Sequence, residues 1–295
     1  MIVVTTPTGT IGRQVADTLL DRGAPVRVIV RDPARLSARI REQAEVVQGS
    51  HADADVLAKA FAGADAVFWL VPPNPHADSL EAVYSGFSRA ACEAFVTEGV
   101  GRVVGVSALG RGTAVAGHAG HVTASLKLDD QIAATGVPYR ALVMPSFMDN
   151  LLGQAGAIKA QGLFFGTISP GRKLPTAATR DIAAAAVKLL LDDSWTGHGE
   201  VPALGPEDLS HDDLARIMTE VLGKSVRYQQ IPLADLRAGM LADGRSQAIA
   251  QGMADMSDAK DNGLDNGVAR TPETSTPTSF RTWCEEVLKP AVEAA

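Results

Sequence analysis

The feature that most constrains this chain is an alternation in its first half, where short valine-rich apolar runs are separated by longer stretches with helical spacing. Candidate strands are Ile2 to Val4, Pro25 to Val30, Glu45 to Val47, Ala66 to Val71, Arg102 to Val106 and Tyr139 to Val143. Between them Gly12 to Asp21, Pro33 to Arg41, Ala54 to Phe61, Ser79 to Thr97 and His121 to Thr135 read as helices. Strands separated by helices must run parallel, because the crossover returns each strand to the same end of the sheet. Helices then cover both faces, and the strands should read as continuous apolar runs. VRVIV and AVFWLV do so. The expected fold is α/β, a doubly wound parallel sheet.

After about Asn150 the rhythm changes. A helix at Asp181 to Leu191 leads through a turn at Thr196 to Gly199 into a short strand near Glu200 to Leu204. Ser210 and Asp213 stand three apart, close to a capping box, and Gly223 marks the end of that helix. A strand at Val226 to Gln230 and a long helical pattern from Leu233 follow. Ser257 to Pro277, rich in Asp, Asn, Gly, Thr and Pro, reads as a surface loop before a last helix at Ser279 to Val287. The expected division is a sheet unit at 1–150 and a smaller α/β lobe at 151–295, partly integrated with the first.

A formal net charge of −7 and the lack of a Lys/Arg-rich run argue against nucleic acid or an anionic membrane surface as a partner. The two cysteines, Cys92 and Cys284, form no C-x-x-C pair and show no metal-ligand spacing, so neither a disulfide nor a metal site is expected. No apolar run reaches the roughly 18 residues of a membrane span. The first strand starts at residue 2, which leaves no room for a leader, and the chain is expected in the cytoplasm as a monomer or homodimer.

The first strand runs into TTPTGTIG, Thr5 to Gly12, and then directly into a helix. Strand, small-residue turn and helix N-terminus in that order form a cradle for pyrophosphate, with Gly9 and Gly12 allowing close backbone approach. Arg31 ends the second strand 19 residues after Gly12, near the spacing at which an acidic residue would take a ribose 2′-hydroxyl. A guanidinium there suits a 2′-phosphate, and Arg35 can add a second charge, so NADP(H) is favoured over NAD(H). Asp32, adjacent to Arg31, pulls the other way.

These motifs, together with VRDP, DAVFWLVPP, VVGVSALG, PYRALVMPSFMDN, RDIAAAAVKLLLD and TPETSTPTSF in that order, resemble the NmrA-like family of atypical short-chain dehydrogenase/reductase proteins. The resemblance covers nearly the whole chain. It implies a Rossmann domain with a small C-terminal lobe, in a family that includes quinone and isoflavone-type reductases and NADP-sensing regulators. The cofactor contacts it implies are Thr6, Thr8, Gly9, Thr10, Ile11, Gly12, Arg31, Arg35, Val71, Pro72, Ser107, Lys127 and Pro145. The family turn is G-x-x-G-x-x-G, so Thr6 takes the first glycine position; threonine there must keep a negative φ or carry strain. Pro7 pushes the residue before it towards extended geometry, so a stiff Thr-Pro turn is expected.

Ordinary short-chain dehydrogenases carry Tyr-x-x-x-Lys on the fifth helix, whereas here Lys127 has Thr123 four residues before it. A threonine hydroxyl is no general acid near neutral pH, which argues against tyrosine-dependent alcohol oxidation. Lys127 is the candidate ribose ligand, and Ser107 at the end of the fifth strand matches the family's serine region. His121, six residues before Lys127, is the side chain best suited to proton transfer at neutral pH. The candidate catalytic residues are thus Lys127 and His121. His118 and His121 lack a third metal ligand nearby. Phe147, Met148 and Asn150, in the loop after the sixth strand, are the candidate substrate contacts.

The function expected is an NADPH-dependent reductase transferring hydride to a small quinone or conjugated carbonyl compound without that tyrosine. The alternatives are a non-enzymatic NADP(H)-binding sensor and a non-redox tailoring enzyme on the same fold.

Overall fold

A computed structural model describes all 295 residues, Met1 to Ala295. Six of the strands follow one another through helical crossovers: β1 (Ile2–Val4), β2 (Val26–Val30), β3 (Glu45–Gln48), β4 (Ala66–Trp69), β5 (Val103–Ala108) and β6 (Tyr139–Met144). The intervening helices are α1 (Thr10–Asp21), α2 (Ala38–Gln43), α3 (Ala54–Phe61), α4 (Phe87–Thr97) and α5 (His121–Ala134). Every pairing among these strands is parallel, in the order β6-β5-β4-β1-β2-β3. The strand order reverses between β1 and β4, and the crevice for a ligand in such a sheet opens at that point, outside the carboxyl ends of the strands.

Neighbouring residues of one strand feed different cores. Ile2 and Val4 pack with Val15 and Leu19 of α1, while Val3 between them packs with Leu57 and Phe61 of α3. Burial on both sides is why these strands are unbroken apolar runs rather than alternating ones. No helix is long and apolar enough to cross a membrane.

Beyond β6 the chain leaves the sheet through β7 (Ser146–Phe147), α6 (Ala155–Gln161), β8 (Leu163–Gly166) and β9 (Leu174–Ala177). It then returns: α7 (Thr179–Leu191) packs its Ile182, Val187 and Leu190 into the α1 core, and β10 (His198–Pro202) adds a seventh parallel strand beside β6. After β11 (Asp208–Leu209), the helix α8 (His211–Leu222) has the capping box in full, with Ser210 and Asp213 bonded reciprocally and Gly223 left-handed at φ 66°. β12 (Arg227–Gln230) pairs with β8, and the core of this lobe gathers around Phe164, Met218, Phe280 and Trp283.

Three expectations are corrected. The helical pattern from Leu233 is two helices, α9 (Leu233–Ala242) and α10 (Gln247–Asp261), because Gly244 at φ 82° turns the chain and Ser246 caps the second. The segment Ser257 to Pro277 is not merely a surface loop: α10 runs to Asp261, and Lys260, Leu264 and Asp265 are buried. Its polar composition hides an ion pair, with the Lys260 ammonium 2.5 Å from Asp265. Finally, the pattern over Ser79 to Thr97 opens with a π-helical turn, Ala82–Gly86, before α4. The last turns, α11 (Phe280–Trp283) and α12 (Lys289–Ala294), flank a similar wide turn.

Candidate active site

The turn after β1 is built around Thr6. Its φ is +51°, the sole positive value outside glycine, so the expectation of an extended Thr6 is overturned. The residue adopts the glycine conformation of the motif, at a cost of about 1–2 kcal/mol for a chain with a Cβ. What holds it there is its own carbonyl, which accepts the Gly9 N–H at 2.9 Å and closes the turn. Thr5 anchors the entry, its hydroxyl donating to the Phe68 carbonyl at 2.9 Å and accepting from Leu70 N–H. Gly12 is fixed by the same turn, since a Cβ there would stand 2.3 Å from the Thr6 carbonyl oxygen. Gly9 is the N-cap of α1 and uses no side chain to satisfy the helix N–H groups. The first turn of a twelve-residue helix therefore faces the crevice with free donors. The Thr6 hydroxyl is buried there without a partner.

This turn forms one wall of a cavity of about 300 Å³. Thr8 and Gly9 line it at one end, Arg31 and Arg35 stand at another, and Pro72 and His51 close it. Both arginines are exposed. Asp32 is engaged with its own backbone, accepting the Ala34 N–H at 3.0 Å and capping the turn Pro33–Arg35. His51 packs edge-on against Trp69 and Phe87. Burial pushes its pKa down to about 4, with Arg31 adding to the shift and the Leu70 backbone opposing it.

A second cavity of about 560 Å³ shares Pro72 and Pro73 with the first and is lined mainly by apolar side chains. Met240, Ile249, Met253 and Met256 of α9 and α10 form its roof. The roof is pinned at three places. Ser246 N–H donates to the Pro75 carbonyl at 2.9 Å and its hydroxyl to the Ala77 carbonyl at 2.6 Å. At the third, α10 meets the start of α5 so closely that a Cβ on Gly120 would lie 2.0 Å from the Gly252 carbonyl oxygen. Two polar aromatic side chains enter this cavity: Tyr84, from the π-helical turn, and His121, the first residue of α5. The Tyr84 hydroxyl is 3.3 Å from His121 Nδ1. Burial raises the phenol to about 12 and lowers the imidazole, the latter opposed by the Ile249 carbonyl.

The remaining sequence candidates fall elsewhere. Lys127 is exposed and lines a separate polar cavity of about 450 Å³ with Thr123, Glu81, His118 and Asp255. The Thr123 hydroxyl is occupied structurally, donating to the Ala116 carbonyl at 2.7 Å and accepting from Ala119 N–H at 2.9 Å. Ser107 is buried under the sheet end, its hydroxyl 2.5 Å from Asp129 and 3.3 Å from Ser125. Tyr139 donates to the same carboxylate at 2.6 Å, and burial raises Asp129 to about 6 against those two hydrogen bonds. Phe147, Met148 and Asn150 line a further cavity of about 190 Å³ at the junction with the C-terminal lobe, where Met148 is core. Ile11 is core on α1, Val71 lines the large apolar cavity, and Thr10 opens α1.

Sequence reading missed Tyr84, His51 and Asp129. For Asp129 a signal existed: Val122, Ser125, Asp129 and Ile132 recur at helical spacing on the buried face of α5, so the acid lies on the wrong side for solvent. Tyr84 is brought to His121 by a wide turn that no propensity announces.

A phosphate-type turn at the switch point of a seven-stranded parallel sheet, with an apolar cavity beside it, defines a doubly wound protein of the Rossmann type. The chain belongs to the NmrA-like family, whose model matches residues 1–285. It is 31% identical over 294 residues to the (4-alkanoyl-5-oxo-2,5-dihydrofuran-3-yl)methyl phosphate reductase of Streptomyces griseus, covering 97% of each chain. It is 28% identical over 271 residues to quinone oxidoreductase 2 of Escherichia coli, covering 90% of this chain and 89% of that one. In structure it is similar to the Citrobacter sp. triphenylmethane reductase complexed with NADP(H), at a TM-score of 0.79 and 21% identity, with 99% of this chain and all of that one covered.

Proposed function

We propose that the protein is an NADPH-dependent reductase that transfers hydride to a small quinone or conjugated carbonyl compound. The observation that carries this reading is the adjacency of two cavities that share Pro72 and Pro73 in their linings, one edged by a phosphate-type turn and two arginines, the other mainly apolar and roofed by methionines. The first cavity would hold a dinucleotide and the second, mostly apolar, would take a flat electron-poor acceptor. Relatives that reduce quinones, azo compounds and an unsaturated lactone phosphate support the same acceptor class.

The residues fit the cofactor. The α1 N-terminus, with Thr8, Gly9 and the unpaired Thr6 hydroxyl, would hold the pyrophosphate. Arg31 and Arg35 would take a 2′-phosphate, while Asp32 is committed to Ala34 and is less free to bind a 2′-hydroxyl. When bound, the reduced nicotinamide supplies hydride. The chain supplies orientation, exclusion of water and charge stabilisation for the oxygen of the acceptor.

The test is NADPH oxidation followed at 340 nm with 1,4-naphthoquinone, benzoquinone and a series of enones, with NADH run in parallel. Turnover with NADPH exceeding that with NADH is the expected result. Cofactor binding with no oxidation by any member of the panel overturns the reading.

A further inference from the structure

Thr123 cannot deliver a proton, yet reduction of a quinone or enone carbonyl requires one for each hydride. The apolar cavity holds one titratable hydrogen-bonded pair, Tyr84 with His121, and the only charged side chain in its lining is Arg245. We propose that Tyr84 is the proton donor to the acceptor's oxygen and that His121 is its positioning residue. This rests on the reductase reading and deepens it.

Three observations converge. The π-helical turn Ala82–Gly86 sets Tyr84 into the cavity, and wide turns of this kind concentrate at functional sites. The Tyr84 hydroxyl has His121 Nδ1 as its single protein partner, at 3.3 Å, so one of its hydrogen-bonding positions is left for a ligand. His121 itself is held in place by the Gly120–Gly252 contact and keeps a buried Nε2 with no hydrogen-bond partner.

The hydride that a bound reduced nicotinamide would supply adds to the acceptor, whose carbonyl π bond opens onto oxygen. The Tyr84 O–H bond breaks and its proton completes the new hydroxyl. With its hydrogen on Nδ1, His121 donates a hydrogen bond across the 3.3 Å contact to the phenolate oxygen and holds it until solvent, entering as the product leaves, returns a proton to that oxygen. The net change is one hydride and one solvent proton added to the acceptor.

The test uses Tyr84→Phe, which keeps the ring in the cavity, and His121→Asn, whose amide reaches the Nδ1 position, against His121→Ala. Thermal melts establish that each variant folds. With 1,4-naphthoquinone and saturating NADPH, Tyr84→Phe should lower kcat roughly a hundredfold, with the Kd for NADPH unchanged. His121→Ala should lower kcat and His121→Asn restore part of the loss. An independent readout is the pKa of 4-nitrophenol bound to the NADP-loaded protein, followed at 400 nm: Tyr84 donating to the oxyanion keeps it low, and Tyr84→Phe raises it. Wild-type turnover that Tyr84→Phe leaves within twofold, or a bound nitrophenol pKa that does not move, overturns the assignment. Absence of quinone reduction by the wild-type protein overturns the functional reading beneath it.

Discussion

The carbonyl oxygen of Thr6 occupies the space a side chain at Gly12 would need, 2.3 Å from where its Cβ would stand. The turn and the first helix are therefore set against each other at backbone contact, and the position of the helix N-terminus depends on residue 12 having no side chain. Gly12→Ala should open this contact. Forced overlap of this kind costs about 1–3 kcal/mol, and the displaced N–H groups should weaken NADPH binding at least about tenfold, a loss of 1.4 kcal/mol. Urea unfolding and fluorescence titration with NADPH measure the two effects.

The strain at Thr6 leads to an opposite expectation at the same turn. Relief of a left-handed β-branched residue is worth about 1–2 kcal/mol, while glycine adds roughly 0.5–1 kcal/mol of unfolded-state entropy. Thr6→Gly should thus raise stability by up to about 1 kcal/mol, a Tm increase of a few degrees by calorimetry. A fall in Tm would mean that the threonine side chain gives more to the turn than its backbone loses.

The fold was largely legible because a parallel sheet buried on both faces leaves an unambiguous trace. VRVIV and AVFWLV could be little else, and Ser210, Asp213 and Gly223 mark the ends of one helix through local hydrogen bonds alone. The close strand-turn-helix junction was legible for the same reason, since Gly9 and Gly12 act through neighbours in sequence. The apolar cavity was not. Tyr84 meets His121 across 37 residues, and the methionine roof comes from α9 and α10, more than 100 residues beyond His121. Nothing local encodes that meeting. Thr6 was misjudged because the proline rule for its conformation is a local preference, and the Gly9 bond and the packing of the helix override it.

On the proposed reading, Arg31 and Arg35 take the 2′-phosphate of NADPH. Arg31→Ala should weaken NADPH binding by roughly ten- to a hundredfold, since a hydrogen bond to a charged group contributes about 1.5–3 kcal/mol. NADH, which has no 2′-phosphate, should bind with little change. Fluorescence titration with both nucleotides gives the ratio, and an equal loss for the two would assign Arg31 to another role.

The half-buried His51 and the buried Asp129 give the stability curve terms of opposite sign. His51 has a folded pKa of about 4, below its ordinary 6.5, so the folded state binds its proton less well than the unfolded chain. Its contribution is complete above pH 6.5 and is lost as pH falls towards 4, by about 3 kcal/mol. Asp129 is raised from 3.8 to about 6, so the folded state binds its proton better. That contribution is complete below pH 3.8 and is lost as pH rises through 6, by a similar amount. His51→Phe keeps an aromatic ring between Trp69 and Phe87 and should flatten the acid side of the curve between pH 6.5 and 4. Asp129→Asn removes the compensating term and should make the same limb steeper. Urea unfolding of both variants at half-unit intervals from pH 4 to 8 tests the two signs separately, and parallel curves for wild type and His51→Phe would show that the imidazole is not held neutral.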